Sequence, residues 1–294
     1  MNRTTSRRQQ TIARTASVEG IGYITGKRVR LRFVPAPDSS GVVFVRTDLG
    51  RGATVAAEVQ NVVGTNRRTT LGKPPISVGI VEHVLAALNG LHIDNCRIEL
   101  DAPEAPGMDG SAQDFVDALR AAGTVMQDGY KSVWSTNESI VVRHGDATLA
   151  LHPSERCEFR VSYLLDYGPQ SPIVPQIFTA TITPETFMND IAPCRTFLLE
   201  EEAEAMRQQG LGSNTTLSDL LVFGPQGPMD NTLRFGNEPA RHKVLDILGD
   251  LSLLGHDLCG HLVAYRSGHP LNVEMCRTLM SHMQACAPKR RRAA

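Results

Sequence analysis

The stretch from Arg241 to Asp250 constrains the fold of this chain most, because its polar and apolar residues follow a helical period. His242, Asp246 and Asp250 recur at every fourth position, so a helix would stack them along one side with a drift of roughly 40° per step. A histidine and an aspartate one turn apart can both bind one metal ion, and such a site needs a third ligand. The same pattern also fits a helix with a solvated polar face, so metal binding stays open at this point. The residues that can face a core are Val244, Leu245, Ile247 and Leu248.

The composition is typical of a globular protein. The chain has 294 residues, of which 41% are hydrophobic and 21% charged, and this length allows one large domain or two ordinary ones. The formal net charge of −1 predicts no general attraction to nucleic acid or to an anionic membrane. No apolar run approaches the ~18 residues of a membrane span. We therefore expect neither a nucleic-acid partner nor a membrane span.

The six cysteines bear on the redox compartment. They are scattered, and no pair has the C-x-x-C spacing of a thiolate zinc site or a redox motif. The first residues lack the apolar segment of a signal peptide, so we expect reduced thiols in a cytoplasmic protein. The cysteines are Cys96, Cys157, Cys194, Cys259, Cys276 and Cys286.

Both halves of the chain begin with strand-like patterns and end with helix-like patterns. This order indicates an α+β fold with two domains of similar build, each a β-sheet layered on helices. We predict an N-terminal domain over residues 11–126 and a C-terminal domain over 136–288. Residues 127–135 are predicted to form a linker. The basic ends, residues 1–10 and 289–294, are predicted to be a disordered N-terminus and a solvated tail.

Glu82 and His83 lie together on a helix predicted from about Ile80 to Gly90. Zinc lowers the pKa of a bound water to about 7, so a carboxylate beside a zinc ligand can take a proton from that water. Zincins place a glutamate next to a histidine for this reason, but here Ala87 stands where their second histidine would be. His83 could equally be a satisfied histidine in the core.

His83, His242 and Asp246 would form a three-ligand site if their two helices face each other. Two histidines and one aspartate leave open the fourth position that a hydrolytic zinc needs. One domain would supply His83 and the other domain the remaining ligands. The site would then lie in the crevice between the domains.

A second group of polar residues could supply an acid and hydrogen-bond donors. His269 follows a glycine at a predicted strand end, where it could act as general acid, and Asp250 could keep it protonated. The Thr196 hydroxyl can donate to an oxyanion, and Lys243 can add positive charge. From the local sequence alone, His269 could equally be a surface residue in a turn, and the signal at Thr196 is weak.

Several segments match the motifs of a single known family, in its order and at its distances. They are Val81 to Gly90; Ile93 to Asn95 with Ala102 to Glu104 and Met108 to Ala112; Arg195 to Phe197; Arg241 to Gly255 with Ser267 to His269; and, near the start, Thr25 to Lys27 and Arg46 to Leu49. The chain therefore resembles the zinc-dependent UDP-3-O-acyl-N-acetylglucosamine deacetylases of lipid A biosynthesis. The similarity extends from about residue 8 to about residue 285.

This resemblance implies a two-domain α+β fold and a zinc ion held by His83, His242 and Asp246, although Fe²⁺ suits such a site almost as well. Glu82 would be the general base and His269 the general acid. The implied reaction is hydrolysis of the acetamide of a UDP-linked acyl-glucosamine, with release of acetate. We expect the enzyme to be a monomer. The other residues implied in the site are Thr196, as oxyanion donor, and Lys243 and Asp250, in the supporting polar network.

The chain departs from the family pattern at two places. Ile24 stands where the family commonly has a histidine. Asn214-Thr215-Thr216 stands in place of a glycine-rich stretch, and Ser218-Asp219 also differs from the usual residues. Side chains in place of glycines must change the backbone in the region that lines the acyl passage. Two alternatives stay open: a divergent paralogue that deacetylates another N-acetylated sugar or acyl chain length, and a non-catalytic binding protein on the same fold.

Overall fold

A computed structural model describes residues 1–212, 214–217 and 219–286, and its fold is α+β, as the sequence predicts. Ser218 and the basic tail predicted for 289–294 lie outside these residues. The strands are β1 (Asn2–Ile12), β2 (Ala16–Ile21), β3 (Arg28–Pro35), β4 (Val42–Arg46), β5 (Thr54–Ala56), β6 (Val62–Gly64), β7 (Thr70–Leu71), β8 (Val78–Gly79), β9 (Cys96–Leu100), β10 (Thr124–Ser135), β11 (Ile140–His144), β12 (Ala147–His152), β13 (Phe159–Leu165), β14 (Gln176–Thr181), β15 (Phe197–Leu199), β16 (Leu221–Gly224), β17 (Gly227–Pro228) and β18 (Asp257–Tyr265). The helices are α1 (Glu82–Gly90), α2 (Gln113–Ala122), α3 (Pro184–Thr186), α4 (Glu200–Gln208), α5 (Glu238–Leu251) and α6 (His269–Cys286).

The first large sheet has five strands in the order β2-β3-β9-β4-β5. Its second strand, β3, alternates as the sequence predicts: Val29, Leu31 and Phe33 are buried, and the arginines between them are exposed. The Phe33 ring meets the Phe115 ring of α2 edge to face, with centroids 6.3 Å apart. The buried face of this sheet therefore packs on helices.

The second large sheet has seven strands, and β18 lies at its centre. β18 pairs antiparallel with β12 and parallel with both β10 and β13. α5 contacts β13, and α6 contacts β11 and β12, so both helices pack on this sheet. In the described part of the chain, no helix is both long and apolar enough to cross a membrane.

Two predictions about the N-terminus and the linker are wrong. Residues 2–12 form strand β1 rather than a disordered end, and residues 127–135 lie within strand β10 rather than in a linker. The two strands pair antiparallel along their length. We call this pair of strands, β1 and β10, the ribbon. Arg7 attaches it to the rest of the fold, because its guanidinium contacts Asp94 at 2.7 Å and Asp257 at 2.6 Å.

α1 and α5 pack against each other at very short range, which brings their polar residues together. Gly249 makes this possible, because a Cβ at that position would lie 2.1 Å from the Glu82 carbonyl oxygen. About two turns further along α1, Asn89 Nδ2 donates to the Leu248 carbonyl oxygen at 3.0 Å. The helix pair thus fixes the place where the candidate ligands meet.

Candidate metal centre

Three potential metal ligands converge where α1 meets α5. His83 lies in the first turn of α1, and His242 and Asp246 lie one turn apart on α5. All three residues are buried, and one ligand atom of each lies within 4.8 Å of the other two. The structure thus brings together the ligand set that the sequence suggested, in a group that could hold a metal ion.

The distances within this group suit a metal ion with short bonds. Asp246 Oδ1 lies 3.4 Å from His242 Nε2 and 3.7 Å from His83 Nε2. Two ligands that bind one tetrahedral zinc at ~2.0–2.1 Å are separated by about 3.3 Å. Relative to Asp246, each histidine therefore needs to move by only a few tenths of an ångström, and the residues fit a metal of this kind.

The surroundings orient the ligands and bias their protonation. The Cys194 carbonyl oxygen lies 3.0 Å from His242 Nδ1 and can only accept, so Nδ1 carries a proton and Nε2 is the nitrogen that faces the ligand group. Burial, together with the nearby His242, lowers the pKa of His83 to about 3, so this imidazole is neutral. Burial acts to raise the pKa of Asp246, but Lys243 and two histidines outweigh it and lower that pKa well below its ordinary value.

Lys243 supports the aspartate ligand from the same helix. Its Nζ donates to Asp246 Oδ2 at 2.6 Å, which leaves Oδ1 facing the two histidines. Burial acts to lower the pKa of Lys243, but Asp246 and the nearby Tyr163 and Tyr167 raise it above its ordinary value. The lysine therefore stays charged and orients the carboxylate.

Glu82 lies beside the ligand group and is buried. The Thr69 backbone N–H donates to its Oε2 at 3.1 Å, and its Oε1 lies 3.8 Å from His269 Nε2. Burial raises the pKa of Glu82 to about 7; Asp250 and Asp246 add to the rise, and the charge on His269 opposes it. A carboxyl group with this pKa can exchange a proton near neutral pH.

His269 begins α6 and is buried, so it is not a surface residue in a turn. Its Nε2 points toward the ligand group, 3.9 Å from Asp246 Oδ2, and its Nδ1 lies 2.8 Å from Asp250 Oδ2. Burial acts to lower the pKa of His269, but Asp250 and then Asp246 outweigh it and raise the pKa to about 9. The ring is therefore an imidazolium at neutral pH and has a proton to donate.

Asp250 is held in turn by two residues that the sequence did not single out. Thr69 Oγ1 donates to Asp250 Oδ1 at 2.5 Å, and Asn272 Nδ2 donates to Oδ2 at 2.9 Å. Thr69 lies in a stretch without a regular pattern, so nothing in the sequence marks it. Asn272 follows His269 by three residues in α6, and this helical spacing could have identified it.

Thr196 lies at the edge of the group, between two residues that contact His242. Two residues before it, the Cys194 carbonyl oxygen accepts from His242 Nδ1. One residue after it, the Phe197 ring is edge-on to the His242 imidazole at a centroid distance of 6.2 Å. The Thr196 backbone is fixed by its N–H, which donates to the Gly110 carbonyl oxygen at 2.8 Å. Its position beside His242 is thus set by backbone contacts.

The sequence model of one protein family matches residues 9–281 of this chain. That family is described as UDP-3-O-acyl N-acetylglycosamine deacetylase. The chain belongs to this family. The match spans every residue of the candidate site, from Thr69 to Asn272.

Curated relatives agree with this membership. The UDP-3-O-acyl-N-acetylglucosamine deacetylase of Myxococcus xanthus (strain DK1622) is 38% identical over 294 residues, which cover 99% of this chain and 92% of the relative. The protein of the same name from Nostoc sp. (strain PCC 7120 / SAG 25.82 / UTEX 2576) is 38% identical over 279 residues, which cover 93% of this chain and 99% of the relative. A protein of Chlorobaculum tepidum named Bifunctional enzyme LpxC/FabZ is 37% identical over 302 residues, which cover 93% of this chain and 64% of the relative.

The two departures from the family pattern lie against each other. Asn214 Nδ2 donates at 2.8 Å to the carbonyl oxygen of Gly26, in the turn that contains Ile24. From the same turn, the Tyr23 hydroxyl donates to the Asp219 carbonyl oxygen at 2.5 Å. The turn and the segment that carries Asn214 therefore form one contact, although the sequence presents them as separate differences.

Proposed function

We propose that this chain is a zinc-dependent deacetylase that hydrolyses the N-acetyl group of a UDP-3-O-acyl-N-acetylglucosamine. Water adds to the acetamide carbonyl, the C–N bond breaks, and the products are acetate and a free amine on the sugar. The reaction would serve lipid A biosynthesis, in the cytoplasm, and we propose a monomer as the active form. Family membership and the names of the relatives support the substrate, and the buried ligand group supports the metal.

The metal would be held by His83, His242 and Asp246. Zn²⁺ bound there supplies Lewis-acid chemistry, which polarises an amide carbonyl and makes water acidic enough to be deprotonated near neutral pH. Fe²⁺ is the other metal that this ligand set suits. Neutral imidazoles and an ionised carboxylate are the ligand forms required, and the pKa directions of His83 and Asp246 favour them.

Two residues would move protons in the two halves of the reaction. Glu82, with a pKa near 7, would take the proton from the attacking water. His269, protonated at neutral pH, would give its Nε2 proton to the departing amine. The observation that carries this proposal is that a proton-accepting carboxyl and an imidazolium lie 3.8 Å apart beside the ligand group.

The remaining site residues would stabilise charge or hold other groups in place. Thr196 would donate its hydroxyl to the oxyanion that forms on the carbonyl oxygen. Lys243 and Asp250 are positioning residues, the first for Asp246 and the second for His269. We also propose two domains, with the boundary predicted at residue 126 moved to residue 123, since the five-stranded sheet uses residues 16–100 and β10, at residues 124–135, belongs to the seven-stranded sheet.

The proposal is tested by acetate release from a defined UDP-3-O-acyl-N-acetylglucosamine. We expect turnover by zinc-loaded protein, its loss on chelation, and its recovery when zinc is returned. Glu82→Ala should lower kcat by ~10²–10⁴-fold, whereas Glu204→Ala, which removes an exposed carboxylate, should leave kcat unchanged. Full turnover by Glu82→Ala would exclude this residue as the base. Protein that does not bind stoichiometric zinc would favour a non-catalytic binding protein on the same fold.

A second candidate, a paralogue with another acyl chain length or sugar, is favoured by the contact between Asn214 and the turn that contains Ile24. Side chains now occupy a region where the family has glycines, so an acyl chain of different length could fit best. A series of substrates that differ only in acyl length separates the two candidates. Maximal kcat/KM with the family's usual long chain would eliminate the paralogue.

A further inference from the structure

Two cysteines outside the candidate metal centre lie at one end of the seven-stranded sheet. Cys259 is the third residue of β18, and Cys157 lies in the loop before β13. β13 and β18 run parallel, with Phe159 opposite Gly260, and the Gly260 N–H donates to the Glu158 carbonyl oxygen at 2.9 Å. The two cysteines precede this paired position by two residues and one residue, so their backbones are adjacent.

The Cys259 side chain reaches the loop that carries Cys157. Its Sγ lies 3.2 Å from the carbonyl oxygen of Arg156, the residue before Cys157. Burial raises the pKa of Cys259, and the nearby Cys157 raises it further. A disulfide requires Cα atoms ~4.4–6.8 Å apart. The register puts Cys259 level with the residue after Cys157, so an S–S bond needs movement of side chains and of the loop before β13, and no separation of the paired strands.

The pair combines one accessible and one protected thiol. Cys157 is exposed, whereas Cys259 is only 3% exposed. A dissolved oxidant reaches the first sulfur readily and the second one poorly. Cys286 offers a comparison within the same chain, because it is also exposed but its sulfur contacts the N-terminal amino group of Met1 at 3.7 Å.

We propose that Cys157 and Cys259 form a reversible disulfide by exchange with a low-molecular-weight disulfide of the glutathione type. The Cys157 thiolate attacks one sulfur of the oxidant, its S–S bond breaks, and one thiol leaves. The Cys259 thiolate then attacks Cys157 Sγ, and the second thiol leaves. The protein loses two electrons and two protons, and the oxidant is reduced to two thiols.

The bond would link the two chain segments at the point where the parallel pairing of β13 and β18 begins. It closes a loop of about 100 residues, which restricts the unfolded chain and stabilises the fold. Cys259 lies near the beginning of β18, whereas His269 follows the end of that strand. We therefore expect the oxidised protein to keep its metal content and its turnover.

The test uses the full chain carrying Cys286→Ser, folded and reduced, and then incubated with glutathione disulfide. We expect a product two hydrogen atoms lighter than the starting protein, in which proteolysis yields a peptide containing Cys157 linked to one containing Cys259. Excess dithiothreitol should restore the reduced mass. The oxidised form should have a Tm higher by roughly 5 °C or more.

Matched variants trap the mixed disulfide between Cys157 and glutathione. Cys259→Ser, or Cys259→Ala if the serine protein does not fold, should accumulate one glutathione on Cys157. In the wild-type chain, Cys286 should carry a stable glutathione adduct while Cys157 does not. A stable adduct on Cys157 in the presence of Cys259, or no reaction at Cys157, would overturn the proposal. So would an oxidised form with an unchanged or lower Tm, since the bond would then not fit the native strands.

Discussion

Two of the charged clusters in the described part of the chain differ in the spacing of their charged atoms. In the anchoring cluster, formed by Arg7, Asp94, Lys131 and Asp257, two cations and two anions contact one another at 2.6–3.4 Å. In the site cluster, the contacts of the two ligand histidines and His269 Nε2 with carboxylates are 3.4–3.9 Å long. The first cluster is closed by direct ion pairs, whereas the spacing in the second suits an ion held between its ligands. The members of the site cluster are Glu82, His83, His242, Asp246, Asp250 and His269.

The two clusters also differ in how folding changes the pKa values of their members. In the anchoring cluster, burial acts to raise the pKa of Asp257, but Lys131 and Arg7 outweigh it and lower that pKa. In the site cluster, burial raises the pKa of Glu82 to about 7 and lowers that of His83 to about 3. The charges of the anchoring cluster thus stabilise the folded chain, whereas ionised Glu82 is a cost to folding.

The comparison is tested most strongly by His242→Ala, which removes a ligand from the site cluster. We expect bound zinc to disappear and acetate release to fall to background, because two ligands bind zinc too weakly. The cavity left at a buried position should lower the free energy of unfolding by only ~1–3 kcal/mol. Elemental analysis, activity and denaturant unfolding measure the three quantities. Retention of stoichiometric zinc by the folded variant would remove His242 from the ligand set.

Glu82→Gln should separate catalysis from stability. We expect kcat to fall by ~10²–10⁴-fold, because the amide cannot accept the proton of water. In metal-free protein at pH 8, the same change should raise the free energy of unfolding by ~1–3 kcal/mol, because the pKa of Glu82 is about 7 in the folded chain and about 4.3 when unfolded. The ionised form is disfavoured by folding, so the gain should shrink as pH falls through 7 and vanish below about 4. Denaturant unfolding at pH 4 and pH 8 checks this, and a variant less stable than the parent at pH 8 would contradict it.

The two clusters also differ in how far the sequence could predict them. The ligands follow from helical spacing and from a resemblance that joins His83 to α5, and the structure brings these three predicted residues together. Residues 1–10 and 127–135 were predicted wrongly, because a mostly exposed ribbon carries no periodic apolar signal. Arg7 helps to hold the ribbon in place, and its partner Asp94 lies 87 residues away. No local pattern reveals a pairing over that separation, and Thr69, which joins Glu82 to Asp250, was missed for the same reason.

Asp250→Asn should weaken one contact of the site cluster and leave the ligands in place. Asp250 is the main cause of the raised pKa of His269, which is about 9, so its neutralisation leaves burial to lower that pKa. A general acid must be protonated, so activity falls as pH rises through its pKa. We expect the alkaline limb of the kcat profile to move to lower pH and kcat to fall ~10–100-fold, with zinc retained. An unshifted alkaline limb would mean that another group sets it.

Asp257→Asn should break the anchoring cluster and have the smallest effect. Arg7 and Lys131 keep Asp94 as a partner, so we expect a loss of only ~1–2 kcal/mol in the free energy of unfolding at pH 7 and no change in kcat. The pKa of Asp257 is lowered by folding, so its contribution is complete above its unfolded pKa of about 3.9 and is lost as pH falls through the folded pKa. The parent should therefore lose stability below about pH 4 more steeply than the variant. Asp128→Asn is the matched control, because Asp128 pairs with Arg8 on the same ribbon but its side chain is 98% exposed, and it should change little. Equal losses from the two variants would show that burial of the anchoring cluster adds nothing to its strength.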